Sequence, residues 1–524
     1  LVMKNYDIII IGSGIQSLSA ALILSKAGKK VIVLEGRDQI GGQTSKFEFA
    51  PGYQCNLIHD GIKWFDPRIL KVLKIHKNNS AIYSPEVLNI ALDSNNNHLE
   101  FYKDLQKTSM SMSKHSKDDA EVWKDFSIHI HNQTKILEEI YRITPTNLPN
   151  TSLKDIWSLK SILKPLSKTG TKGIVDFARI VPMMMPELMD EWFNSAFIRG
   201  ALSSAGISMI NQGPFSAATG LNLLHQHIYS SGVFFNIKFL NGGLVNLAEN
   251  IAQSSISNGA VIQTESYVKS IIIKNGVCSG VRLANGDELL SNKTLSGLDP
   301  TQTFIHLIGA NNLDPSMYRQ IKNIKYRGCV SRIHYALNTL PKITGVSTNK
   351  MNTIFSISPS IEYLERAYDA SKYGQISKNP FITFNIPTIN DSTFAGEGKH
   401  VLSATIQYTP YHLRNTLWTE KIKNDLIDNV TNIIEQYIPN FSSCIESSVL
   451  FSPIDLEEKL GMTEGSINHG ELTLDQFFFM RPTIALSQYD TPFKNLFLCG
   501  SSTHPGCGPN GSSGYNAAME VLKN

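Results

Sequence analysis

Near residue 10 an apolar run is followed by a glycine turn, a helical pattern and a second apolar run. The stretch DIIII at 7–11 predicts a strand, residues 14–27 predict a helix that ends at Gly28, and KVIVLE at 30–35 predicts a second strand. Isoleucine and valine fill both strands without alternating with polar residues, which is typical of parallel strands covered on both faces by helices. The sequence therefore predicts a βαβ unit in a parallel sheet.

The turn of this unit carries the residue pattern of a dinucleotide-binding site. Gly12 permits a tight turn, Gly14 lets the backbone approach a pyrophosphate, and the following helix offers free N–H groups at its start. Glu35 lies at the distance along the chain expected of an acid that binds a ribose diol. The third position of the glycine pattern is Ser17, which is still small enough for close contact between helix and strand.

Two further observations favour FAD as the dinucleotide. Arg37 and the doublet Gly41-Gly42 follow the acid directly, and a glycine doublet suits a second approach of the backbone to the same pyrophosphate. A reductase that takes hydride from NAD(P)H would usually need a second βαβ unit with a Gly-x-Gly turn. None is evident in the sequence, and the GEG at 396–398 fits a surface turn. We therefore expect FAD to be the only bound nucleotide.

Composition argues against several other classes of protein. The chain has 524 residues, of which 42% are hydrophobic and 18% charged, and its formal net charge is +3. This length predicts two domains, and so small a charge argues against a nucleic-acid partner. The six cysteines have no regular spacing, which fits a reducing compartment better than a disulfide framework. There is no signal-peptide pattern and no apolar run of about 20 residues, so we expect a cytoplasmic protein.

Changes of pattern along the chain predict two interleaved domains. Strand, glycine-loop and helix patterns assign one of them, the expected FAD-binding domain, to residues 1–75, 235–300 and 485–524. The expected substrate-binding domain consists of residues 76–234 and 301–484.

Three local stretches carry expectations of their own. The pair Asn275-Gly276 is a hairpin signal, because a type I′ turn needs positive φ at both central residues. Residues 78–120, rich in Asn, Ser and Lys, predict an exposed and partly mobile insertion. The apolar patch Met183–Met189 predicts part of a substrate tunnel or core, with docking of the protein on a membrane surface as the alternative.

Five stretches, in order along the chain, resemble the phytoene-desaturase-like FAD-dependent oxidoreductases, in particular the phytoene-desaturase-related branch of pyridine nucleotide-disulphide oxidoreductase domain proteins. They read DIIIIGSGIQSLSAALILSKAGKKVIVLEGRDQIGGQT, FLNGGLVNLAENIA, GVRLANGDELLSNKTLSGLDPTQTF, GELTLDQFFFMRP and LFLCGSSTHPGCGPNGSSGYNAA. The resemblance covers the chain nearly end to end. It implies an α/β fold in which a Rossmann-type FAD-binding domain is interleaved with a mixed-sheet, helix-capped substrate domain, with the isoalloxazine ring at their junction.

The motif and the resemblance together give the expected cofactor-binding residues. The resemblance implies that Val268 meets the adenine through its backbone, and that Gly500 and Ser501 lie against the pyrophosphate and ribityl chain. Many flavoproteins of this fold have an acid where this chain has Ser501. The full expected set is Gly12, Ser13, Gly14, Ile15, Gln16, Glu35, Gly36, Arg37, Gly41, Gly42, Gln43, Thr44, Val268, Gly500, Ser501, Gly511, Ser512 and Ser513.

A cluster of Cys499, His504 and Cys507 admits three interpretations. A structural zinc site would need a fourth ligand, which the surrounding glycines and proline do not supply. A cysteine nucleophile would need a base and an oxyanion site, and the sequence assigns neither. We favour a loop under the flavin, followed by a helix whose N-terminus points at the ring and stabilises negative charge on it. No metal is expected.

Three side chains are candidates for contact with substrate or flavin. His504 lies in the glycine loop just described, His59 follows the glycine doublet, and Arg481 lies in the stretch FFMRPT. Each also has a purely structural alternative: a hydrogen bond to the backbone for His504, a capping role for His59 and an ion pair for Arg481.

These observations predict an FAD-dependent oxidoreductase that moves hydride from a C–H bond of an apolar or cyclic small molecule to flavin N5. It would act on CH–CH groups or, alternatively, on CH–NH groups, and oxygen or a quinone would accept the electrons. The alternatives are an amine oxidase of the same fold, a redox-neutral isomerase that uses reduced FAD, and a flavin-binding protein without catalysis. Peripheral contact with a membrane is compatible with an apolar substrate.

Overall fold

A computed structural model describes residues 5–74, 82–146 and 170–523. Its strands are β1 Asn5–Ile11, β2 Val31–Leu34, β3 Lys46–Ala50, β4 Tyr53–Asn56, β5 Ile82–Tyr83, β6 Val87–Ala91, β7 Leu99–Tyr102, β8 Phe239–Leu240, β9 Val261–Gln263, β10 Val268–Lys274, β11 Val277–Leu283, β12 Glu288–Ser296, β13 Val330–Leu337, β14 Ile354–Ile357, β15 Phe381–Asn385, β16 His400–Gln407, β17 Ile445–Phe451 and β18 Leu496–Leu498.

The α-helices are α1 Ile15–Lys26, α2 Pro67–Leu73, α3 Leu105–Met112, α4 Lys117–Arg142, α5 Met185–Asp190, α6 Ala196–Gly206, α7 Thr219–Gln226, α8 Val245–Ser257, α9 Pro315–Lys322, α10 Ile361–Lys372, α11 Glu420–Glu435, α12 Pro453–Leu460 and α13 Ser512–Lys523. Residues 170–180 are also helical. A stretch of π-helix spans Thr301–Gly309.

The first of two large sheets contains the predicted βαβ unit. Its strands run in the order β10-β11-β12-β1-β2-β9, and β18 also pairs with β12. β1 is parallel to both β12 and β2, and β2 is parallel to β9. Buried isoleucine and valine side chains cover both faces of β1 and β2, with α1 and α13 packed on one side. This is the mixed α/β, Rossmann-like fold that the sequence predicts.

The second large sheet runs in the order β17-β13-β16-β15-β14-β6-β7. It is mostly antiparallel, with one parallel pair between β14 and β6. The strands of the first sheet come from residues 5–34, 261–296 and 496–498, whereas those of the second come from 87–102 and 330–451. The domain boundaries expected from the sequence remain a prediction.

The hairpin predicted at Asn275-Gly276 is confirmed. It joins β10 to β11, and the two residues have φ values of 51° and 76°. The prediction of an exposed insertion at 78–120 is wrong. β6 within it is buried along its whole length and pairs with β14 inside the second sheet. The polar run at 94–97 lies in an exposed turn beside this strand, and residues 78–81 of the predicted insertion lie outside the described residues.

The patch Met183–Met189 belongs to a core. Met185 and Met189 are fully buried and Met183 nearly so, in one cluster with side chains of α4, α6 and α7. None of the three lines the cavities described below. Among the helices the structure describes, none is long and apolar enough to cross a bilayer.

Candidate functional site

A cavity of about 380 Å³ lies against the glycine turn between β1 and α1. Most of the expected cofactor-binding residues line it. They are Gly12, Ser13, Gly14, Ile15, Gln16, Glu35, Gly36, Arg37, Gly41, Gly42, Gln43, Thr44, Val268 and Ser501. The other four, Gly500, Gly511, Ser512 and Ser513, lie outside its lining.

The start of α1 is open toward this cavity. Gly14 occupies the N-cap position, and no side chain caps the helix there. A Cβ atom added to Gly14 would meet nothing within 4 Å. Because the first N–H groups of a helix lack intrahelical partners, an uncapped start beside a cavity suits an anionic group such as a pyrophosphate.

The glycine doublet packs directly on this turn. Gly41 donates its N–H to the carbonyl oxygen of Ser13 at 3.0 Å, and its φ of 105° is one that residues with a side chain rarely adopt. A Cβ on Gly42 would lie 3.1 Å from the Cα of Gly14. The doublet thus brings a second stretch of backbone close to the first, as its residue type predicts.

Glu35 is held at the end of β2 by the same turn. Its Oε2 accepts hydrogen bonds from the backbone N–H of Ser13 at 3.0 Å and from the Ser13 hydroxyl at 2.5 Å. Its Oε1 accepts from the backbone N–H of Arg37 at 3.1 Å. These contacts fix the carboxylate at the rim of the cavity, where it can accept further hydrogen bonds from a diol.

The far wall of the cavity was not predicted. It comes from the π-helix, through Gln302, His306 and Leu307, from residues 458–462 and from His469. His469 is half-buried, and its Nδ1, which is buried, has no hydrogen-bond partner among the described residues. π-helical turns occur often at functional sites, but the sequence carries no periodicity that distinguishes one from an α-helix. The open helix start, the free volume above Gly14 and the unpartnered polar atom together fit a dinucleotide.

A second cavity, of about 170 Å³, adjoins the first. Its lining comes from residues 58–64, from α6 and α7, and from strands of the second sheet. Gly508 and Pro509 line both cavities. Gln16, in the wall of the first cavity, donates from its side-chain amide to the Gly508 carbonyl at 3.1 Å. One short loop therefore separates the dinucleotide cavity from a chamber large enough for a small organic group.

His59 lines the second cavity, and its contact with a substrate stays a prediction. Its Nε2 lies 3.0 Å from Oε1 of Gln43, which lines the first cavity. Burial, with the positive charges of Arg332 and Lys63 nearby, lowers the pKa of His59 to about 3. The imidazole is therefore neutral at physiological pH, and Nε2 carries the proton that Gln43 accepts.

Lys63 is a residue that sequence reasoning missed. It lines the second cavity and donates from Nζ to the Ser208 hydroxyl at 3.0 Å and to Oε1 of Gln226 at 2.5 Å. Burial lowers the pKa of the ammonium to about 8. No local sequence pattern distinguishes Lys63 from other lysines. Its surroundings form only when the fold places α6 and α7 beside it.

His504 and Arg481 lie outside the lining of both cavities. His504 is fully buried between the rings of Tyr141 and Phe478, and its Nε2 hydrogen-bonds the carbonyl of Ile140 at 2.9 Å. Burial lowers the pKa of His504 to about 3. These contacts are those of the structural alternative, a histidine bonded to backbone.

Arg481 is 1% exposed and binds four backbone carbonyls, those of Glu471, Gln476, Asn468 and Ser501. Its guanidinium donates to Glu471 at 2.9 Å, to Asn468 at 2.8 Å and to Ser501 at 2.8 Å. No described carboxylate forms the ion pair with Arg481 that the sequence offered as a structural alternative. The guanidinium instead binds backbone carbonyls, and we call this set of hydrogen bonds the backbone clamp of Arg481. Through Ser501, the clamp holds one edge of the dinucleotide cavity.

The helix α13 follows the glycine loop, and the proposed role of its N-terminus at a flavin ring stays a prediction. The first N–H of α13, from Ser512, binds the side chain of Asn510 at 2.9 Å, and the N–H of Gly514 binds Oε1 of Gln16 at 3.2 Å. A Cβ on Gly514 would lie 1.8 Å from the Gln16 carbonyl. Close packing of α13 on α1 therefore requires this glycine. Gly511 lies outside the lining of both cavities.

Cys499 and Cys507 do not behave as nucleophiles. Both are buried, and burial raises the pKa of each thiol, to about 12 for Cys499. The reactive thiolate form is therefore absent near neutral pH. Cys507 lines the second cavity as a small apolar group.

The chain is similar to known proteins along nearly its whole length. Residues 10–74 match the family model of the NAD(P)-binding Rossmann-like domain. Pyridine nucleotide-disulfide oxidoreductase domain-containing protein 2 of Rattus norvegicus is 29% identical, over 99% of this chain and 94% of the relative. A phytoene desaturase of Fusarium fujikuroi is 24% identical, over 96% of this chain and 86% of that protein.

An oxidoreductase from Methanosarcina mazei has a similar solved structure. Its TM-score is 0.59 at 16% sequence identity, and the match covers 99% of this chain and all of that one. At this identity the likeness is one of fold. The end-to-end sequence similarity, the Rossmann-like model and the cavity at the glycine turn agree: the chain is similar to the phytoene-desaturase-like oxidoreductases along nearly its whole length.

Proposed function

We propose that the protein is an FAD-dependent oxidoreductase that removes hydride from a C–H bond of a small, largely apolar molecule. The supporting observation is the adjacency of the two cavities, which share Gly508 and Pro509 as a common wall. One cavity carries the dinucleotide pattern and the other a mixed apolar and polar lining. A shared wall of glycine and proline lets two bound molecules approach each other with little side chain between them.

The chain's own residues account for cofactor binding. The uncapped start of α1 at Gly14 would hold the pyrophosphate, and Glu35 the ribose hydroxyls. The backbone clamp of Arg481 would keep Ser501 against the cofactor. When bound, FAD would supply a hydride acceptor, so that the protein need only place the substrate and exclude water.

The residues of the second cavity would orient the substrate. Apolar side chains such as Ile62, Ile237 and Leu472 line it and exclude water from a C–H bond. Burial keeps His59 neutral, and the hydrogen bond to Gln43 fixes the orientation of its ring. The imidazole would therefore present the same hydrogen-bonding atom to a substrate over the physiological pH range. An oxidation at carbon with FAD as acceptor needs no acid–base triad, and oxygen or a quinone would take the electrons afterwards.

Release and identification of the bound nucleotide test the cofactor. The purified protein is denatured, and the released nucleotide is identified by chromatography and mass spectrometry. FAD is the expected product, whereas release of NAD(P) or of no nucleotide would contradict the proposal. Anaerobic mixing of the intact protein with polyenes, cyclic imine precursors and amines then tests the reaction, because an oxidised substrate bleaches the visible flavin absorbance.

A further inference from the structure

The charges around the second cavity do not balance. Lys63 and Asp60 are the only charged side chains among the described residues that line it. Asp60 is already paired, since its two carboxylate oxygens accept from Nη2 of Arg332 at 2.8 and 2.7 Å. Lys63 forms no ion pair with any residue that the structure describes, and its two hydrogen-bond acceptors are neutral.

A buried ammonium without a counter-ion is costly. Transfer of an unpaired charge out of water is unfavourable, which is why burial alone lowers the pKa of Lys63. With a pKa of about 8, the amine is still mostly protonated at neutral pH. An ammonium has three N–H donors, and the two described bonds leave one of them without a described acceptor.

The other titratable groups around Lys63 cannot supply the missing charge. His59 beside it, His225 from α7 and His227 just after that helix all have pKa values of about 3 or 4, lowered mainly by burial, so they are neutral near pH 7. Burial also raises the pKa of the Cys507 thiol across the cavity. The second cavity therefore carries one uncompensated positive charge, that of Lys63.

Resting on the proposed function, we propose that the substrate is a largely apolar molecule that carries one acidic group, and that Lys63 binds this group as its counter-ion. A carboxylate would accept the free N–H of Lys63 while the apolar part packs on Ile62, Ile237 and Leu472. The same charge repels a protonated amine. This separates the chain's substrate class from that of an amine oxidase.

Three probes of equal chain length test the proposal without turnover. Binding of octanoate, octanamide and octylamine to the intact purified protein is measured by calorimetry at pH 7. Octanoate is expected to bind at least about tenfold more tightly than octanamide, because hydrogen bonds to charged groups are stronger than neutral ones. Octylamine is expected to bind most weakly. Equal affinity for octanoate and octanamide would overturn the proposal.

Variants assign the effect to Lys63. In Lys63→Met the preference for octanoate over octanamide is expected to disappear, whereas Lys29→Met, which alters an exposed lysine beyond the far end of α1, is expected to keep it. A preference that survives in Lys63→Met would refute the role of this residue. If that variant fails to fold, the pH dependence of binding to the wild-type protein tests the proposal. Its octanoate affinity must fall as the pH rises above about 8, the pKa of Lys63, while octanamide affinity stays constant.

The outcome is separable from that of the proposed function. Binding of the probes requires the second cavity and Lys63, and it is measured whether or not the protein contains flavin. A protein that releases no FAD but prefers octanoate would contradict the proposed function and support this inference. A flavoprotein that binds octylamine more tightly than octanoate would support the proposed function and contradict this inference.

Discussion

The imidazole of His59 and the side-chain amide of Gln43 form a 3.0 Å hydrogen bond that joins the walls of the two cavities. The amide group of Gln43 is fixed from its other end, because its Nε2 donates to the carbonyl of Ile467 at 2.7 Å. Its Oε1 must therefore accept from His59. The orientation of Gln43 at the dinucleotide cavity thus determines which ring nitrogen of His59, in the second cavity, carries the proton.

Replacing Gln43 with glutamate should raise the pKa of His59. In the wild-type protein the pKa of about 3 predicts no titration of His59 between pH 5 and 8. A carboxylate at position 43 would favour the imidazolium and raise that pKa by at least about one unit. NMR of histidine-labelled protein measures the shift, with His59→Asn to assign the signal. An unchanged His59 signal in Gln43→Glu would show that the two side chains do not interact in solution.

A methyl group at Gly14 should block the nucleotide without unfolding the protein. Gly14 has ordinary negative φ and its added Cβ would meet no protein atom, so the methyl group would occupy the space of a bound phosphate. Gly14→Ala is expected to lower the nucleotide content about tenfold or more, the usual scale of overpacking. The measurement is nucleotide released per mole of protein.

Gly396→Ala is the matched control, because it also adds a Cβ to open space at a glycine outside both cavities. Both variants should unfold at the wild-type temperature once nucleotide has been removed. Full nucleotide content in Gly14→Ala would mean that the ligand does not approach this turn.

Loss of the Arg481 guanidinium should cost stability. Arg481→Met leaves the carbonyls of Glu471, Asn468 and Ser501 without their donor in a buried region, and we expect a loss of about 3 kcal/mol or more. Urea unfolding measures it, and Arg282→Met, an exposed position on β11, should change little. If Arg481→Met instead abolished turnover at unchanged stability, a catalytic role would replace the structural one.

Buried histidines should make the fold sensitive to acid. The folded pKa of His504 is about 3, whereas an unfolded histidine titrates near 6.5, so between these values the unfolded chain binds more protons. Stability is therefore full above pH 6.5 and decreases as the pH falls toward 3. His59 and His225 add the same dependence. Melting temperatures between pH 8 and pH 4 measure it.

A variant isolates the part due to His504. His504→Gln keeps an N–H donor toward the Ile140 carbonyl but cannot be protonated in the unfolded chain. Its melting temperature is expected to decrease less steeply with acid than that of the wild type, whereas His412→Gln, at an exposed site, should follow the wild-type curve. Parallel curves for all three proteins would show that His504 does not contribute.

Local pattern predicted the part of the site that is local in sequence. The βαβ unit, Gly14, Glu35 and the glycine doublet lie within about 35 residues, and their arrangement follows from strand and helix periodicity with a fixed turn chemistry. The hairpin at Asn275-Gly276 could also be predicted from the sequence, because two adjacent residues determine its turn.

The remaining parts depend on long-range packing that no short pattern encodes. Lys63 acquires its surroundings only when α6 and α7 fold over it, and the π-helix reaches the dinucleotide cavity only through the pairing of β12 with β1. His504 and Arg481 are near the glycine loop in sequence, yet their side chains turn into the core. Proximity along the chain therefore does not determine which side chains reach the cavities.

The contact between Gly514 and Gln16 joins residues that are 498 positions apart. During synthesis on a ribosome, the glycine turn is complete long before the segment that packs against it has been translated. The amide of Gln16 has then neither Gly508 nor Asn510 to bind, and the wall between the two cavities does not yet exist. A nucleotide could therefore meet its final surroundings only after residues 508–514 have been translated, and a nonsense codon anywhere before position 508 would remove them.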